Sequence, residues 1–534
     1  MLDPQLPVGP DREGASTRRP AGTEREPPDR GGPVSRVVAL VSAIVLYGIL
    51  AVSQNVRPPL DPAAELGREP RGGEVAKLFL LVERGLEEAG LGGSGMLGGA
   101  AAEQFAVGDG HPADRLQAAP IFGEVEGAGA ALDWLYVVRA RLDVESLSGP
   151  SGLEGDWRQK VAAAREAAAG TPGSEWAAVG KDPPKLDEQA LADAQALEAL
   201  YTEGSGALSA EARARLIDRY GWLGELALAH DLPEDAPERE ALFHAWPWAL
   251  LLIAVVSAVF TLGAIGGLVM AVLALVFFFT GSLRPRFVPP RAGGSVYLET
   301  FAAFLGLFLV VHLIGGLLAE LASKGKLPLS ETAVTVGVLV AQWLLLPVLL
   351  WPLVRGVPAG RWRESVGWHA PRGFAREIGA GVLGYFAGLP IFFLGILLTL
   401  GLTALAERIS GEPVTPPTNP VLELISSGSA LVVVLFVLLA TVWAPIMEET
   451  IFRGGLYRHM RGRVGVAPAA LLTALLFAFL HSYGPLMTGP LIALGFTFAL
   501  IREWRGSLVA SMTAHCLHNA TVTTISLIAL RALA

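Results

Sequence analysis

Cysteine is almost absent from the sequence, since Cys516 is the single one in 534 residues. An intrachain disulfide is therefore excluded, and a domain that faces an oxidising compartment must be held together by its core alone. Charged residues are also scarce, at 17%, whereas hydrophobic residues reach 52%. This balance is typical of an integral membrane protein. Basic clusters interleaved with aromatic residues are missing too, so no nucleic-acid partner is predicted.

Apolar runs are the main feature that is present, one near the N-terminus and the others after residue 246. We predict an all-α fold, a polytopic helical membrane bundle of about 8–9 spans, because a helix crosses a bilayer core in about 20 residues. The run 247–283 would be about 55 Å long as one helix. It is either a single long crossing, which the charge placement favours, or a tight hairpin. The runs are 37–52, 247–283, 298–321, 331–353, 377–405, 429–447, 467–482, 485–501 and 506–530.

Residues 56–245 differ in kind, because they are polar and rich in Ala, Glu and Leu. Apolar residues recur there at helical spacing between Gly/Pro-rich breaks, which predicts an extra soluble α-helical domain. Asp187 and Ser209 are candidate N-caps of two of its helices. His111 and His230 have no ligand-type residues clustered near them, so we interpret both as solvated or capping histidines.

The rest of the chain divides by composition. Residues 1–36 are rich in Pro, Gly, Arg and Glu and lack aromatic residues, which indicates a disordered N-terminal tail. Residues 37–55 are predicted to be a transmembrane anchor, with a cleavable signal peptide ending near Ala51-Val52-Ser53 as the alternative. Residues 246–296 hold one or two membrane spans and a basic loop, and residues 297–534 form the main membrane domain.

Arginines are concentrated in alternate loops of the membrane region and in the N-terminal tail, which holds six. By the positive-inside rule these segments are cytoplasmic. The predicted location is therefore the cell membrane, with several spans in the lipid bilayer. The soluble domain, residues 56–245, is then extracytoplasmic, where it is available to a partner on that side.

Two carboxylates and a guanidinium follow the apolar run 429–447, in the sequence Glu448-Glu449-Thr450-Ile451-Phe452-Arg453. Charges at such a place cost several kcal/mol unless they are paired or wetted, which makes them candidates for function. Residues four apart share a helix face, so Glu449 and Arg453 are predicted to form an ion pair. Glu448 points about 100° away and is left free for chemistry. The alternative is a plain Glu–Arg clamp that closes a membrane helix.

Two further polar pairs lie on later spans, Phe477-x-x-x-His481 and His515-x-x-x-Asn519. Each alone fits a structural interpretation, an interfacial histidine for the first and an interhelical hydrogen-bonding patch for the second. Taken together, a carboxylate, two histidines and an amide from three helices can converge on one wet cavity. Such a set is suited to general acid/base catalysis and to oxyanion stabilisation.

The three motifs together resemble those of the CPBP family of intramembrane proteases, the ABI/CAAX type, which includes the type II CAAX prenyl endopeptidases. Each motif alone is weak evidence, but the ordered set is strong. It covers roughly residues 428–530, so residues 297–534 are expected to be a CPBP-like intramembrane protease domain, and residues 1–245 lie outside it. The motifs are Glu448-Glu449-Thr450-Ile451-Phe452-Arg453-Gly454, Phe477-Ala478-Phe479-Leu480-His481, and Gly506-Ser507-Leu508 leading to His515-Cys516-Leu517-His518-Asn519.

The resemblance implies an intramembrane endopeptidase that hydrolyses peptide bonds of membrane-associated protein or peptide substrates with Glu-activated water. Glu448 is then the base, supported by Glu449 and Arg453. His481 protonates the leaving amine or binds a metal. His515 and Asn519 polarise the scissile carbonyl or stabilise the oxyanion.

Metal use stays open at the level of sequence. His481, His515 and a carboxylate would suit Zn²⁺ with an open coordination position, and glutamate chemistry without metal is the alternative. No His-Glu-x-x-His motif is present. His518 is interpreted as a bystander. Cys516 points about 100° from His515 on a helix, which argues against a Cys–His nucleophilic pair.

Two other functional classes compete with the protease. One is a non-catalytic membrane scaffold or immunity-type partner-binding protein of the same fold, against which the intact motifs argue. The other is a transporter, but the charged groups cluster in one C-terminal stretch and have no matching set in an inverted repeat.

Overall fold

The computed structural model of the chain describes residues 25–55, 73–91, 97–99, 101–102, 116–142, 188–410, 429–481 and 484–533. All regular structure within these residues is helical, which confirms the predicted all-α class. In chain order the helices are α1 (Pro33–Asn55), α2 (Gly73–Glu88), α3 (Ala118–Glu126), α4 (Ala128–Leu142), α5 (Glu188–Glu203), α6 (Ala210–Tyr220), α7 (Trp222–Leu228), α8 (Pro237–Phe243), α9 (Trp246–Phe279), α10 (Val296–Ser323), α11 (Glu331–Trp343), α12 (Trp351–Val354), α13 (Ala359–Val366), α14 (Phe374–Ser410), α15 (Ala430–Arg461), α16 (Val466–Ala478), α17 (Gly489–Arg505) and α18 (Leu508–Leu533).

Helices α2 to α8 share one hydrophobic core, which makes them the soluble domain that the sequence predicts. The core continues into the first turns of α9, where Ala249 is buried. Trp246 and Leu250 of α9 lie directly against Gly85 of α2, at a distance that leaves no room for a Cβ. The soluble domain is therefore joined to the membrane region by shared packing as well as by the chain.

Local predictions in the soluble domain have mixed outcomes. Ser209 is the N-cap of α6, as predicted, because its hydroxyl accepts a hydrogen bond from the Ala212 N–H at 3.1 Å. His230 is neither fully solvated nor a cap, since its ring packs on the Tyr201 ring with centroids 4.9 Å apart. Burial and the charge of Arg239 both lower the pKa of His230. Asp187 and His111 lie outside the described residues.

Among the described residues, six helices are long and apolar enough to cross a membrane by length and composition. They include α9, one continuous helix of 34 residues without the hairpin turn that was the alternative. The last three predicted runs are also helices, of 13, 17 and 26 residues. The first two of these are short, and α18 is made more polar by His515, His518 and Asn519. The six spans are Pro33–Ala51, Pro237–Phe279, Val296–Ser323, Thr332–Val354, Phe374–Ala406 and Ala430–Arg461.

Residues 25–32, here called the N-terminal strap, correct the predicted boundary of a disordered tail at residue 36. Glu26 and Asp29 form ion pairs of 2.7 and 2.9 Å with Arg458, which is only 2% exposed. The carbonyl of Arg30 accepts hydrogen bonds from the first backbone N–H groups at the start of α10. Helix α1 then begins at Pro33. Composition missed this order because the strap is held by partners more than 250 residues away in the sequence.

Candidate active site

Helix α15 carries the first motif, and two of its segments have wide π-helical turns, Leu439–Trp443 and Glu449–Tyr457. Pro445 lies between them and has no N–H to donate. A π-helical bond would join its nitrogen to the carbonyl of Ala440, five residues earlier. That carbonyl instead accepts a hydrogen bond of 2.8 Å from Asn519 Nδ2 on α18. The irregular turn is therefore stabilised by a side chain from another motif, as apolar surroundings require.

Glu449 and Arg453 form the predicted ion pair, with Arg453 Nη1 donating to Glu449 Oε1 at 2.8 Å. Both side chains are completely buried. The other Arg453 nitrogen, Nη2, donates to the carbonyl of Gly495 on α17 at 2.9 Å. A Cβ on Gly495 would lie 3.0 Å from Ala474 and 3.2 Å from that guanidinium nitrogen. The absence of a side chain at Gly495 thus allows α16, α17 and Arg453 to meet.

Aromatic rings close the remaining sides of the guanidinium. Arg453 Cζ is 4.7 Å from the centre of the Phe477 ring and 5.3 Å from that of Phe498. A buried cation over aromatic faces is stabilised by the ring quadrupole, by about 2 kcal/mol where water is excluded. The charge of Arg453 is therefore compensated by one carboxylate, one carbonyl and two rings.

His515 of α18 connects the two carboxylates. Its Nδ1 lies 3.2 Å from Glu449 Oε1, and its Nε2 lies 3.8 Å from Glu448 Oε2. Because Glu449 is an acceptor already paired with Arg453, we infer that His515 Nδ1 carries the proton and donates to it. Nε2, the other nitrogen of the ring, then faces Glu448.

Glu448 is the more exposed of the two carboxylates and lies outside the ion pair, as its position one residue before that pair predicts. Its side chain is 17% exposed, compared with complete burial of Glu449. Its Oε2 atom is buried and has no hydrogen-bond partner among the described residues. A buried carboxylate oxygen without a donor is costly, so this atom is placed where a water or substrate donor would satisfy it.

His481 and Asn519 are held by backbone carbonyls. His481 Nδ1 lies 2.9 Å from the carbonyl of Phe477, and its ring packs on Phe477 at 4.8 Å. The same Phe477 ring contacts His515 edge-on at 6.1 Å. Phe477 thus lies between the two histidines. The structure brings Glu448, Glu449, Arg453 and His515 into direct proximity. His481 and Asn519 lie beside this group, His481 against the Phe477 ring and Asn519 against the carbonyl of Ala440.

The described residues do not bring together the side chains of a typical metal centre. Among them there is no set of three or more His, Cys, Asp or Glu side chains that could hold a metal ion. Nδ1 of His515 is directed to a carboxylate and Nδ1 of His481 to a carbonyl, so Nε2 is the ring nitrogen that each histidine has left for a further partner. His518 lies apart, against Tyr385 and Phe392.

Three residues that shape the candidate site were not predicted from the sequence. Phe498 and Gly495 stand in an apolar run where nothing marks them as different from lipid-facing residues. Pro445 was visible as an interruption of the run 429–447, and a proline there signals a carbonyl in need of another donor. The partner of that carbonyl could not be read from the sequence.

Comparison with models of known protein families gives a match, and it covers the candidate site. Residues 430–521 match a family model described as type II CAAX prenyl endopeptidase Rce1-like. We refer to these residues, which are similar to that family, as the Rce1-like domain. The predicted resemblance is thereby confirmed for residues 430–521, and the six apolar helices among the described residues make the chain a multi-pass membrane protein. The match includes all the site residues from Glu448 to Asn519. No curated protein and no solved structure matches the chain.

Proposed function

We propose that the Rce1-like domain is an intramembrane endopeptidase in which Glu448 activates water. The observation that carries the proposal is the unpartnered Glu448 Oε2, 3.8 Å from a histidine nitrogen. That histidine is held in turn by the buried Glu449–Arg453 pair. A free carboxylate beside an oriented imidazole is the arrangement that general-base catalysis needs.

Glu448 takes a proton from a water molecule as the water oxygen attacks the scissile carbonyl carbon. The negative charge that develops on the carbonyl oxygen requires donors. Asn519 uses one amide hydrogen for Ala440 and keeps the second, which is available for this purpose. When the C–N bond breaks, the proton held by Glu448 passes to the leaving amine, directly or through His481. Glu449 and Arg453 do not touch substrate in this scheme; they orient His515.

The substrate class follows from the surroundings. The proposed base lies on α15, a helix that is long and apolar enough to cross a membrane, so we propose substrates that are themselves membrane-associated. The family description names a CAAX prenyl endopeptidase, and a prenylated C-terminal peptide is accordingly the first substrate to test.

The test uses the purified full-length chain in lipid vesicles with two fluorescent peptides, one prenylated near its C-terminus and one not. We expect wild type to cleave, and Glu448→Gln to lose activity by about 100-fold or more, the usual contribution of a general base. Glu364→Gln, which changes an exposed carboxylate on α13, is the matched control and is expected to retain full activity. A chelator arm tests the metal alternative, and we expect cleavage to persist.

Three outcomes would contradict the proposal. Equal cleavage by Glu448→Gln and wild type would remove Glu448 from the mechanism. Folded protein that cleaves neither peptide, nor any member of a broad membrane-peptide library, would favour the non-catalytic scaffold. Loss of cleavage on chelation, restored by Zn²⁺, would instead assign the chemistry to a metal.

A further inference from the structure

Phe498 of α17 is shared between two groups of the site. Its ring lies almost parallel to the His515 imidazole, with centroids 5.0 Å apart and an interplanar angle of 23°. The same ring is 5.3 Å from Arg453 Cζ. Phe498 is 1% exposed, so water does not compete with either contact. It belongs to none of the three sequence motifs.

The hydrogen bond to Glu449 is not enough to orient His515. Glu449 Oε1 already accepts a 2.8 Å bond from Arg453, and its distance to His515 Nδ1 is a longer 3.2 Å. One such contact still permits the imidazole to rotate about the line that joins the two groups. A flat surface parallel to the ring removes that rotation, and offset-stacked aromatic pairs are favourable in their own right.

We propose that Phe498 is a positioning residue that fixes the plane of His515, so that Nε2 faces Glu448 Oε2. The proposal rests on the proposed function for its effect on catalysis, but its geometric part does not. A leucine would fill much of the same volume. It offers no ring face, either to the imidazole or to the Arg453 guanidinium.

The chain contains a matched pair for comparison. His518 lies on the same helix, three residues after His515, and Phe392 contacts it with ring centroids 5.4 Å apart at an angle of 65°. No described contact joins His518 to Glu448 or Glu449. Phe392→Leu therefore removes a phenyl ring from a histidine of α18 that has no part in the proposed mechanism.

The experiment compares wild type, Phe498→Leu, Phe498→Tyr and Phe392→Leu as full-length protein in lipid vesicles, with thermal unfolding as the check on folding. We expect Phe498→Leu to lower kcat by about 10- to 100-fold, the effect of a small misplacement of a catalytic group. KM is expected to change little, because Phe498 is almost completely buried and offers a substrate no accessible surface. Phe498→Tyr keeps the ring face and is expected to recover most of kcat. Phe392→Leu is expected to leave kcat unchanged.

A second readout does not need activity. Diethyl pyrocarbonate modifies exposed imidazoles, and mass spectrometry distinguishes His515 from His518. Phe498→Leu is expected to raise the modification rate of His515 by about 2- to 10-fold, as loss of one ring pair implies, and to leave that of His518 unchanged. Phe392→Leu is expected to show the reverse.

The two readouts separate the two proposals. If wild type cleaves nothing while Phe498→Leu frees His515 for modification, the proposed function is wrong and the positioning of His515 stands. If Phe498→Leu folds and neither the modification rate of His515 nor kcat changes, the positioning role is overturned. A fall in kcat that Phe498→Tyr does not recover would likewise overturn it, since any loss of packing would then suffice.

Discussion

Glu449 Oε1 is a single atom with two nitrogen neighbours, Arg453 Nη1 at 2.8 Å and His515 Nδ1 at 3.2 Å. An arginine at position 453 suits this arrangement. A guanidinium donates in several fixed directions, and here it reaches both Glu449 and the carbonyl of Gly495. A lysine ammonium has the same charge but no planar fork and a smaller surface for stacking on the rings.

Arg453→Met tests the ion pair. The substitution leaves Glu449 ionised and fully buried with no cation, and the free energy of unfolding is expected to fall by about 3–5 kcal/mol. The double variant Glu449→Gln/Arg453→Met removes both charges and is expected to recover part of this stability, although not the activity. Reversible unfolding in mixed detergent measures all three proteins. If the double variant were no more stable than Arg453→Met, a stranded charge would not be the cause.

At the scale of elements, α15 departs from α-helical geometry at the site. Its wide turns include the whole stretch from Glu449 to Tyr457, and they change the direction in which each side chain leaves the helix. Such π-helical turns are often found at functional sites. Here Pro445 removes one backbone donor, and Asn519 of α18 replaces it at Ala440. The turn and the neighbouring helix are thus mutually dependent.

A double-mutant cycle on Asn519 and Pro445 measures that dependence. Asn519→Ala leaves the Ala440 carbonyl without a donor and is expected to cost about 1–2 kcal/mol of stability. Pro445→Ala restores a backbone N–H that can pair with this carbonyl. We therefore expect Asn519→Ala to cost less in the Pro445→Ala background. Strictly additive unfolding free energies would show that the proline and the amide do not act on the same carbonyl.

At the scale of the whole molecule, distant parts of the chain meet at the end of α15. The N-terminal strap supplies Glu26 and Asp29 to Arg458, five residues after Arg453. Gly294 has a φ of +62° and lies against the carbonyl of Asp29, where a larger residue would be strained and would clash. Elsewhere, the first turns of α9 pack into the hydrophobic core of the soluble domain. The helix with the proposed base is therefore anchored by the opposite end of the sequence.

Glu26→Gln/Asp29→Asn tests this anchoring. Arg458 then stays buried beneath the strap without a carboxylate, and stability is expected to fall by about 3 kcal/mol, the lower end of the range for one-sided loss of a buried pair, because Glu26 is itself 40% exposed. A chain that lacks only residues 1–24 keeps both carboxylates and is the control. The measurement is the free energy of unfolding of both proteins in detergent. Equal stability of the charge-neutralised protein and wild type would mean that the strap contributes nothing at Arg458.

Sequence alone determined the class of protein and much of its site. The apolar runs predicted the membrane helices, because a helix can cross the bilayer core if it is apolar over about 20 residues. Both properties, composition and length, are visible in the sequence. The four-residue spacing predicted the Glu449–Arg453 pair, because that contact lies within one helix. The soluble helical domain followed from helical spacing of apolar residues for the same local reason.

Tertiary structure decided the rest. The order of the strap, the contact of Phe498 with His515, and the bond from Asn519 to Ala440 each join segments far apart in the sequence. No local pattern marks one phenylalanine of an apolar run as the one that faces a histidine. Such contacts depend on how helices pack, and a helix–helix crossing is fixed by the shapes of both surfaces at once. Local spacing fixes which residues share a face, whereas packing fixes what that face meets.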